Sequence, residues 1–430
     1  MKEVRLFVLA FGMSSLALAF SLSQTNELPF IEGLRVYSSA GELLPPIIVR
    51  GDTLVDGTPN TFNDFITIEF DVHTKLPPNL QIKFFHCNRD WVIDQNVFLI
   101  DEYHNTTSYL NYRSAPAGVK YYTYHYTNQF PDPYEIIRFN YSGNWVFQIF
   151  SSDDPGTVLA EGRFIVVDMQ CSVHVNVIND YFTEVPSPLN QVNRVIASVI
   201  IPEALNHAFV TTADVYQNWR LYNPRRIDVN DRDPYTFVEG ITSSRKRFMV
   251  NNVEPGNEYR KLDLSSLTAY PNGQPVRLLG GPDQSRFYWE GGKDLGGGSR
   301  VSEFSGIRSD YLNVEFRLEL AQKPSSDIFL VGAFNQWHPN LSDLCAYDST
   351  RQLYTVWKWI KRGIYDYQYI LGTWDSAKGE VVKQNWVALE GNDWRTIDEY
   401  TVVVYYNDPR FGGFDRIVGI GVGSSNAMIP

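Results

Sequence analysis

Strict alternation of apolar and polar residues is the feature that most limits what this chain can fold into. In the run 66–72, every second residue is isoleucine, phenylalanine or valine, with threonine, glutamate or aspartate between them. The runs 80–84 and 312–320 repeat this pattern. Because successive side chains of a strand point to opposite faces of a sheet, these runs predict strands with one buried face. No long segment with a helical period competes with them.

Composition and spacing extend this prediction to the whole chain. Aromatic residues make up 14% of the sequence and suit the half-buried faces of strands. Strand-like runs recur roughly every ten to twenty residues, separated by turn sequences such as Asp153-Asp154-Pro155-Gly156. This spacing predicts an all-β protein made of tandem immunoglobulin-like β-sandwich domains.

Length and turn signals divide the chain into three folded domains. At roughly 100 to 200 residues per domain, a chain of 430 residues allows two to four of them. We predict an amino-terminal β-sandwich at 28–168, a middle β-rich domain at 170–300 and a carboxy-terminal immunoglobulin-like sandwich at 310–424. Glycines cluster in the stretch 291–298, which predicts a mobile linker at the end of the middle domain.

Residues 1–19 have the pattern of a secretory signal peptide. A positively charged start precedes an apolar run that closes on Ala17-Leu18-Ala19. The alternative is a membrane anchor, for which the run is short, and nothing later approaches the roughly 18 apolar residues of a spanning helix. The sequence therefore predicts an exported protein without direct membrane insertion.

Net charge and cysteine spacing exclude two further classes of protein. A formal charge of −12 repels phosphate backbones, so we expect no nucleic-acid partner. Cys87, Cys171 and Cys345 are odd in number and lie far apart, which does not indicate a disulfide framework. Two interpretations stay open, one bridge between Cys87 and Cys171 or three buried thiols.

The segment 86–91, His-Cys-Asn-Arg-Asp-Trp, brings metal-ligand residue types together. A zinc site needs three or four convergent ligands, and the sequence has no second His/Cys cluster to complete one. The other interpretation is a turn in which Asn88 and Asp90 bond the backbone while Trp91 packs inward. We expect no metal and no cofactor. Because no Gly-x-Ser-x-Gly motif is present and no acidic pair stands out, we also expect no enzymatic activity, with a hydrolase whose site assembles only in space as the alternative.

A tyrosine-rich stretch is a candidate contact surface. Tyr122, Tyr124 and Tyr126 would share one face of a strand. That face is either domain core with its hydroxyls at the edge, or a surface that binds a protein partner, since tyrosine is enriched where proteins recognise one another. The three tyrosines are therefore candidate partner-binding residues.

The carboxy-terminal part resembles starch- and glycogen-binding modules. A predicted strand at 328–332 runs into Gly-Ala-Phe-Asn-Gln-Trp, and the resemblance continues through 363–369 to Gly-Thr-Trp at 372–374. Such modules stack a sugar on aromatic rings, so the resemblance implies α-glucan binding by Trp337 and Trp374. The other interpretation packs Trp337 in the core. A carbohydrate-binding envelope protein is thus the alternative function.

Over nearly its full length, the chain resembles the plug proteins of the Bacteroidetes type IX secretion system. The features that carry this resemblance are the turn 86–91, Tyr124-His125-Tyr126 leading into Phe130-Pro131, Gly143-Asn144-Trp145, the stretch 259–267, the Gly-Ala-Phe-Asn-Gln-Trp turn, and Glu390-Gly391-Asn392 followed by the tyrosines of 400–406. No single motif is decisive, but their order along the chain is.

This resemblance implies a periplasmic subunit without enzymatic activity that associates peripherally with the outer membrane. Its partner would be the giant translocon barrel of that membrane, whose periplasmic opening the subunit closes while no cargo crosses. Neither the residues nor the resemblance identify the contact residues, or whether the protein associates with itself.

Overall fold

The computed structural model describes residues 29–51, 64–182, 184, 191–289 and 291–425. The predicted all-β class of sandwich domains is confirmed. Short 3₁₀ helices occur at His207–Phe209, Gly306–Ser309, Ala333–Asn335, Leu341–Asp343 and Arg410–Gly412. Within the described ranges, no helix has the length and apolar character needed to cross a membrane. The predicted signal segment 1–19 lies outside the described residues.

The first sandwich packs two sheets around an aromatic core. Its strands are β1 (Ile31–Ser38), β2 (Ile47–Arg50), β3 (Ile66–Val72), β4 (Leu80–Cys87), β5 (Thr106–Thr107), β6 (Tyr112–Ser114), β7 (Tyr124–Phe130), β8 (Gly143–Ser151) and β9 (Asp154–Asp168). The sheet orders are β1-β3-β7-β6 and β2-β9-β8-β4-β5. Phe70, Phe147 and Phe164 pack between them. The alternating runs of β3 and β4 supply one side of each sheet to this core.

The chain next forms most of a middle sandwich. Its strands are β10 (Ser172–Tyr181), β11 (Gln191–Ile200), β12 (Thr212–Gln217), β13 (Arg225–Asp228), β14 (Thr236–Glu239) and β15 (Arg245–Val253). One sheet has the order β10-β11-β15-β14. β12 and β13 pair with each other and belong to the facing sheet, which is completed by strands from much later in the chain.

The chain forms a third sandwich before it returns to complete the second sheet of the middle one. Its strands are β16 (Arg260–Asp263), β17 (Val276–Arg277), β18 (Asp283–Gln284), β19 (Ser299–Arg300), β20 (Tyr311–Glu319), β21 (Asp327–Gly332), β22 (Ala346–Asp348), β23 (Leu353–Lys361), β24 (Ile364–Asp375) and β25 (Glu380–Asn385). In one sheet β16, β19, β21 and β25 all pair with β24. The other has the order β17-β20-β23-β22, with β18 also paired to β20.

The last two strands, β26 (Glu399–Asp408) and β27 (Phe414–Ser424), return to the middle sandwich. Its second sheet has the order β13-β12-β26-β27, with Thr212 opposite Tyr405. From the sequence alone, we expect these two strands in the carboxy-terminal domain 310–424 and β16 to β19 in the middle domain 170–300. The sheet pairings differ on both points, because an alternating pattern predicts a strand but not its partner.

Glycines at alternate positions of β27 let the sheets of the middle sandwich approach closely. Gly419, Gly421 and Gly423 face β10, and a Cβ atom on Gly421 would lie 2.7 Å from the carbonyl oxygen of Val173. A side chain at these positions would push the two backbones apart. The glycine stripe therefore closes one edge of this sandwich.

An apolar cluster joins the first and middle sandwiches. The outer faces of β2 and β9 pack against β26, β27 and the segment that follows β12. The cluster comprises Ile47, Val49, Ile165 and Val167 from the first sandwich and Tyr216, Leu221, Val403, Tyr405 and Ile417 from the middle one. Burial of this kind stabilises the contact between the two domains by roughly 25 cal/mol per Å² of apolar surface.

A buried charge network joins the first and third sandwiches. The carboxylate of Asp71, 1% exposed, accepts hydrogen bonds from His125 at 2.7 Å, from the Tyr311 hydroxyl at 2.8 Å and from the Lys361 amine at 2.6 Å. Burial alone would raise the pKa of Asp71, but the hydrogen bond from His125 and the charge of Lys361 outweigh it and hold the pKa below its usual value. Burial lowers the pKa of Lys361 even though Asp71 opposes it. Asp71 and Lys361 therefore each need the opposite charge of the other in order to stay ionised at this buried position.

Buried carboxyl groups lie near the contact between the middle and third sandwiches. Asp366 is fully buried, and its Oδ2 atom accepts hydrogen bonds from the backbone N–H groups of Leu295 at 2.7 Å and Gly297 at 2.9 Å. Its Oδ1 atom has no hydrogen-bond partner in the described part of the chain. Burial, and then the charge of Asp294, raise the pKa of Asp366 to about 7. Burial likewise raises the pKa of Asp398 to about 6.

Candidate partner-binding site

The structure places the predicted tyrosines largely inside the molecule. Tyr126 is buried and stacks on Phe70, with ring centroids 4.7 Å apart. Tyr122 is also buried, and the amine of Lys361 lies 4.6 Å from its ring centroid. Tyr124 is half-buried against the core of the first sandwich. Because two of the three rings are not accessible, Tyr122, Tyr124 and Tyr126 do not form the predicted contact surface.

The glycine-rich stretch 291–298 is held in place at its end. The carbonyl oxygen of Gly297 accepts a hydrogen bond from the Trp337 indole N–H at 2.7 Å, and Gly298 packs against Leu43 of the first sandwich. Asp366 accepts the Gly297 N–H on the other side. The prediction of a mobile linker does not hold for residues 294–298, because these contacts fix the backbone.

The candidate sugar-binding tryptophans pack against the outer face of the sheet centred on β24. Trp337 is 1% exposed and contacts Tyr259, with ring centroids 4.3 Å apart. Trp374 is half-buried against the same cluster. A sugar ring has to reach the face of an aromatic ring in order to stack on it, and the face of Trp337 is covered. Trp337 is therefore not available for stacking in this structure, whereas Trp374 keeps part of its surface exposed.

We expect maltooligosaccharides to produce no saturable heat at millimolar concentration in isothermal titration, since the Trp337 ring is covered. The matched variants are Trp374→Ala and, as a control on the same sandwich, Trp357→Ala, whose ring is 41% exposed. Saturable binding that is lost only in Trp374→Ala would contradict this prediction.

The turn 86–91 lies at the contact between the first and middle sandwiches. Asn88 accepts hydrogen bonds from the backbone of Asp90 at 2.9 Å and Val92 at 3.0 Å, as one of the two interpretations requires. Asp90, instead of bonding the backbone, forms an ion pair with Arg226 of the middle sandwich. No group of His, Cys, Asp and Glu side chains with the geometry of a metal site occurs in the ranges that the structure describes. The turn therefore joins two domains.

The cysteines are free and buried at all three positions. Burial raises the pKa of Cys87 and Cys171 to about 12. Because the thiolate is the reactive form, these thiols are poorly placed for disulfide exchange.

Loops at one end of the first sandwich carry exposed large apolar side chains, which are the strongest candidate for a contact surface. These residues are between 41% and 86% exposed. They are Val97, Phe98, Ile100, Tyr103, Tyr134 and Ile136, together with Phe411 from the β26–β27 connection. This set is termed the aromatic end. Exposed apolar residues that lie on neighbouring loops in this way are typical of interaction sites.

Hydrogen bonds tie the loops of the aromatic end to one another. The backbone N–H of Arg138 donates to the carbonyl oxygen of His104 at 3.0 Å, and the side-chain amide of Asn105 donates to the Arg138 carbonyl oxygen at 2.8 Å. Phe98 stacks on Phe411, with ring centroids 5.2 Å apart. Since the loops are already ordered, a partner would not bear the entropic cost of ordering them.

Carboxylates outnumber basic groups around the aromatic end. Asp101, Glu102, Asp132 and Glu135 lie on its loops, against two basic residues, Arg138 and Arg410, the latter beside Phe411 and paired with Asp408. Burial alone would raise the pKa of Asp101, but hydrogen bonds led by that from His104 outweigh it and hold the pKa below its usual value. The site is therefore acidic and suits a partner surface that carries basic side chains.

Sequence reasoning missed the aromatic end because its residues do not alternate. The stretch 97–103 reads Val-Phe-Leu-Ile-Asp-Glu-Tyr and has neither a strand period nor a helical one. The signal that was available is the density of large apolar residues in two stretches, 97–103 and 130–137, the second interrupted by prolines. Leu99, Phe130 and Ile137 in these stretches are buried, so the density of apolar residues alone does not tell which of them are exposed.

Apart from Phe411, the aromatic end lies in a part of the chain that matches a known family. Residues 58–168 match the type 9 secretion system plug protein 1st domain. The match supports a plug-like protein with a role related to type 9 secretion and a location in the envelope. The region that resembles glycogen-binding modules lies outside the matched residues.

The fold as a whole has a counterpart among solved structures. The crystal structure of a hypothetical protein from Parabacteroides merdae is similar, with a TM-score of 0.69 and 19% sequence identity. The similarity covers 92% of this chain and 99% of that chain, so the arrangement of sandwiches is shared. No curated protein matches this sequence.

Proposed function

We propose that this protein is a periplasmic plug subunit of the type 9 secretion translocon. It occludes the periplasmic opening of the outer-membrane barrel when no cargo is in transit, and it is held at the membrane by that barrel. The observation that carries this proposal is the match of residues 58–168 to the plug-protein first domain. The role needs no catalytic step.

The packing of the three sandwiches supports the proposal. A subunit that closes an opening wide enough for folded proteins has to keep its domains in a fixed arrangement. Here each sandwich contacts the other two, through the apolar cluster around Val403, the Asp71 network, and the contact at which the Asn218 amide donates to the Tyr259 hydroxyl at 3.0 Å. These contacts therefore hold the three domains in one arrangement.

The aromatic end is the docking surface in this proposal. A plug that leaves for each cargo works best with an interface near the lower end of the usual range of about 1,200 to 2,000 Å². Ordered tyrosine and phenylalanine side chains with an acidic rim provide contact area without deep burial. These exposed side chains, and not the buried Tyr122 and Tyr126, are the partner-binding residues in this proposal.

Deletion of the gene is expected to admit a large antibiotic that the outer membrane normally excludes, because the idle translocon would then be open. The measurement is uptake at equal translocon abundance, with wild-type complementation restoring exclusion. A strain with an intact, idle translocon and unchanged permeability would disprove the proposal.

Complementation also tests the docking surface. A triple variant, Phe98→Ser with Tyr103→Ser and Tyr134→Ser, should fail to restore exclusion although it is exported and folded. The matched control, Phe287→Ser with Tyr288→Ser and Tyr347→Ser, removes three exposed rings from the third sandwich and should restore exclusion. Equal restoration by both variants would rule out the aromatic end as the docking surface.

A further inference from the structure

A cleft of about 460 Å³ lies beside the aromatic end, between the outer face of β4 and the loop 93–106. Phe85 and Phe150 form part of its floor, and Leu99 lies in its wall. Its volume falls within the range of roughly 300 to 1,000 Å³ that is typical of ligand sites. The middle sandwich covers the same sheet face over β2 and β9, but the cleft leaves the part over β4 open.

The edge of β4 beside the cleft is already occupied by the chain itself. Ile82 and Lys83 pair with β5, the backbone N–H of Phe84 donates to Asn105 at 2.8 Å, and that of Asp94 donates to the His86 carbonyl oxygen at 2.9 Å. A partner strand therefore cannot add to this edge. An occupant has to lie across the cleft and insert side chains into it.

The charges that line the cleft favour a cationic side chain. Asp94 and Glu102 contribute carboxylates; Asp94 already accepts a hydrogen bond from His86 at 2.6 Å, whereas Glu102 is exposed and has no ion pair to any described residue. Lys83 and His86 are the basic residues in the lining; His86 bonds Asp94, and the Lys83 amine lies 5.3 Å from the centroid of the Phe150 ring. An anionic ligand would meet two carboxylates and one amine. A guanidinium group would donate to the exposed carboxylate of Glu102 and stack on the half-buried ring of Phe85.

We propose that this cleft receives an arginine side chain from a loop of the protein that docks on the aromatic end. The inference rests on the proposed function, because the docking partner is taken to be the translocon barrel. Contact at the aromatic end supplies most of the apolar area, and the arginine in the cleft fixes the orientation of the plug. The loop on the translocon therefore carries a basic residue next to an apolar surface.

The test measures association of the full-length chain with immobilised, detergent-solubilised translocon by biolayer interferometry. Glu102→Lys reverses the charge at the rim of the cleft and should slow association about tenfold at low salt, with a smaller effect at high salt. Gln81→Trp fills the cleft without adding charge and should speed dissociation. Glu319→Lys and Glu319→Trp, at an exposed position of the third sandwich, are the matched controls and should behave as wild type.

Each outcome decides between the two proposals. If the wild type binds and Glu102→Lys and Gln81→Trp bind equally well, the cleft is not the site, while the proposed function stands. If Glu102→Lys binds faster than wild type, the occupant is anionic and the arginine is excluded. If the wild type does not bind the translocon, the proposed function fails and the inference fails with it.

Discussion

Replacing Asp71 by alanine is expected to lower the free energy of unfolding by about 3 to 5 kcal/mol, the usual cost of removing one partner from a buried ion pair. The change leaves the Lys361 amine and the Tyr311 hydroxyl buried without their acceptor at the contact between the first and third sandwiches. The loss is measured as a shift of the urea unfolding midpoint.

Two further variants separate the buried charge from the contact itself. Asp71→Ala combined with Lys361→Met removes both charges and should cost less than Asp71→Ala alone, since no buried charge is left unpaired. Glu239→Ala breaks an exposed pair with Arg247 and should cost at most about 1 kcal/mol. A loss for Asp71→Ala as small as that for Glu239→Ala would contradict the burial of the network in solution.

The variant Asp366→Asn is expected to be less sensitive to rising pH than the wild type. The pKa of the Asp366 carboxyl is about 7 in the folded chain, against an ordinary value of 3.8, so between these two values the folded state keeps a proton that the unfolded state has lost. The resulting stability is fully present below pH 3.8 and is lost as the pH rises through 7. At about 1.4 kcal/mol per pKa unit, the wild type should lose roughly 2 to 3 kcal/mol between about pH 5 and pH 8 that the variant does not lose.

The measurement is the difference in unfolding free energy between variant and wild type at each pH. His338, whose pKa burial lowers to about 4, acts in the opposite direction, because its contribution is present above pH 6.5 and is lost as the pH falls. The difference cancels this term, and Glu319→Gln serves as the matched surface control. Parallel pH profiles for Asp366→Asn and wild type would show that Asp366 is ionised in the folded chain.

The strands were the part of the fold that the sequence could predict, and β3 shows both the success and its limit. The alternation over 66–72 coincides with the strand Ile66–Val72. Thr67, Glu69 and Asp71 on its polar face were expected to meet solvent, yet all three are buried. The third sandwich covers that face, with Lys361 and Tyr311 reaching Asp71. A contact between two domains produces no periodic pattern of apolar residues in the sequence of either contacting segment, so it could not be predicted.

The candidate site shows a second limit. Tyrosines at 122, 124 and 126 alternate like surface residues of a strand, but Tyr126 packs into the core and Tyr122 lies at a domain contact. The exposed aromatic residues occur instead in loops, where exposure depends on hydrogen bonds such as those of Arg138 with His104 and Asn105. Whether a loop residue is exposed depends on such tertiary contacts. These contacts cannot be inferred from the spacing of apolar residues in the sequence.

The return of β26 and β27 to the middle sandwich sets the order in which this protein reaches its native state. The chain is synthesised from its amino terminus, so β12 is available long before β26, its neighbour in the sheet. Closing so long a loop is slow, and the exposed edge of β12 has no partner until it happens. The first and third sandwiches contain all their own strands and can form earlier. The middle sandwich is thus the last to assemble. A chain that lacks β26 and β27 would keep the first and third sandwiches folded, with the middle sandwich incomplete.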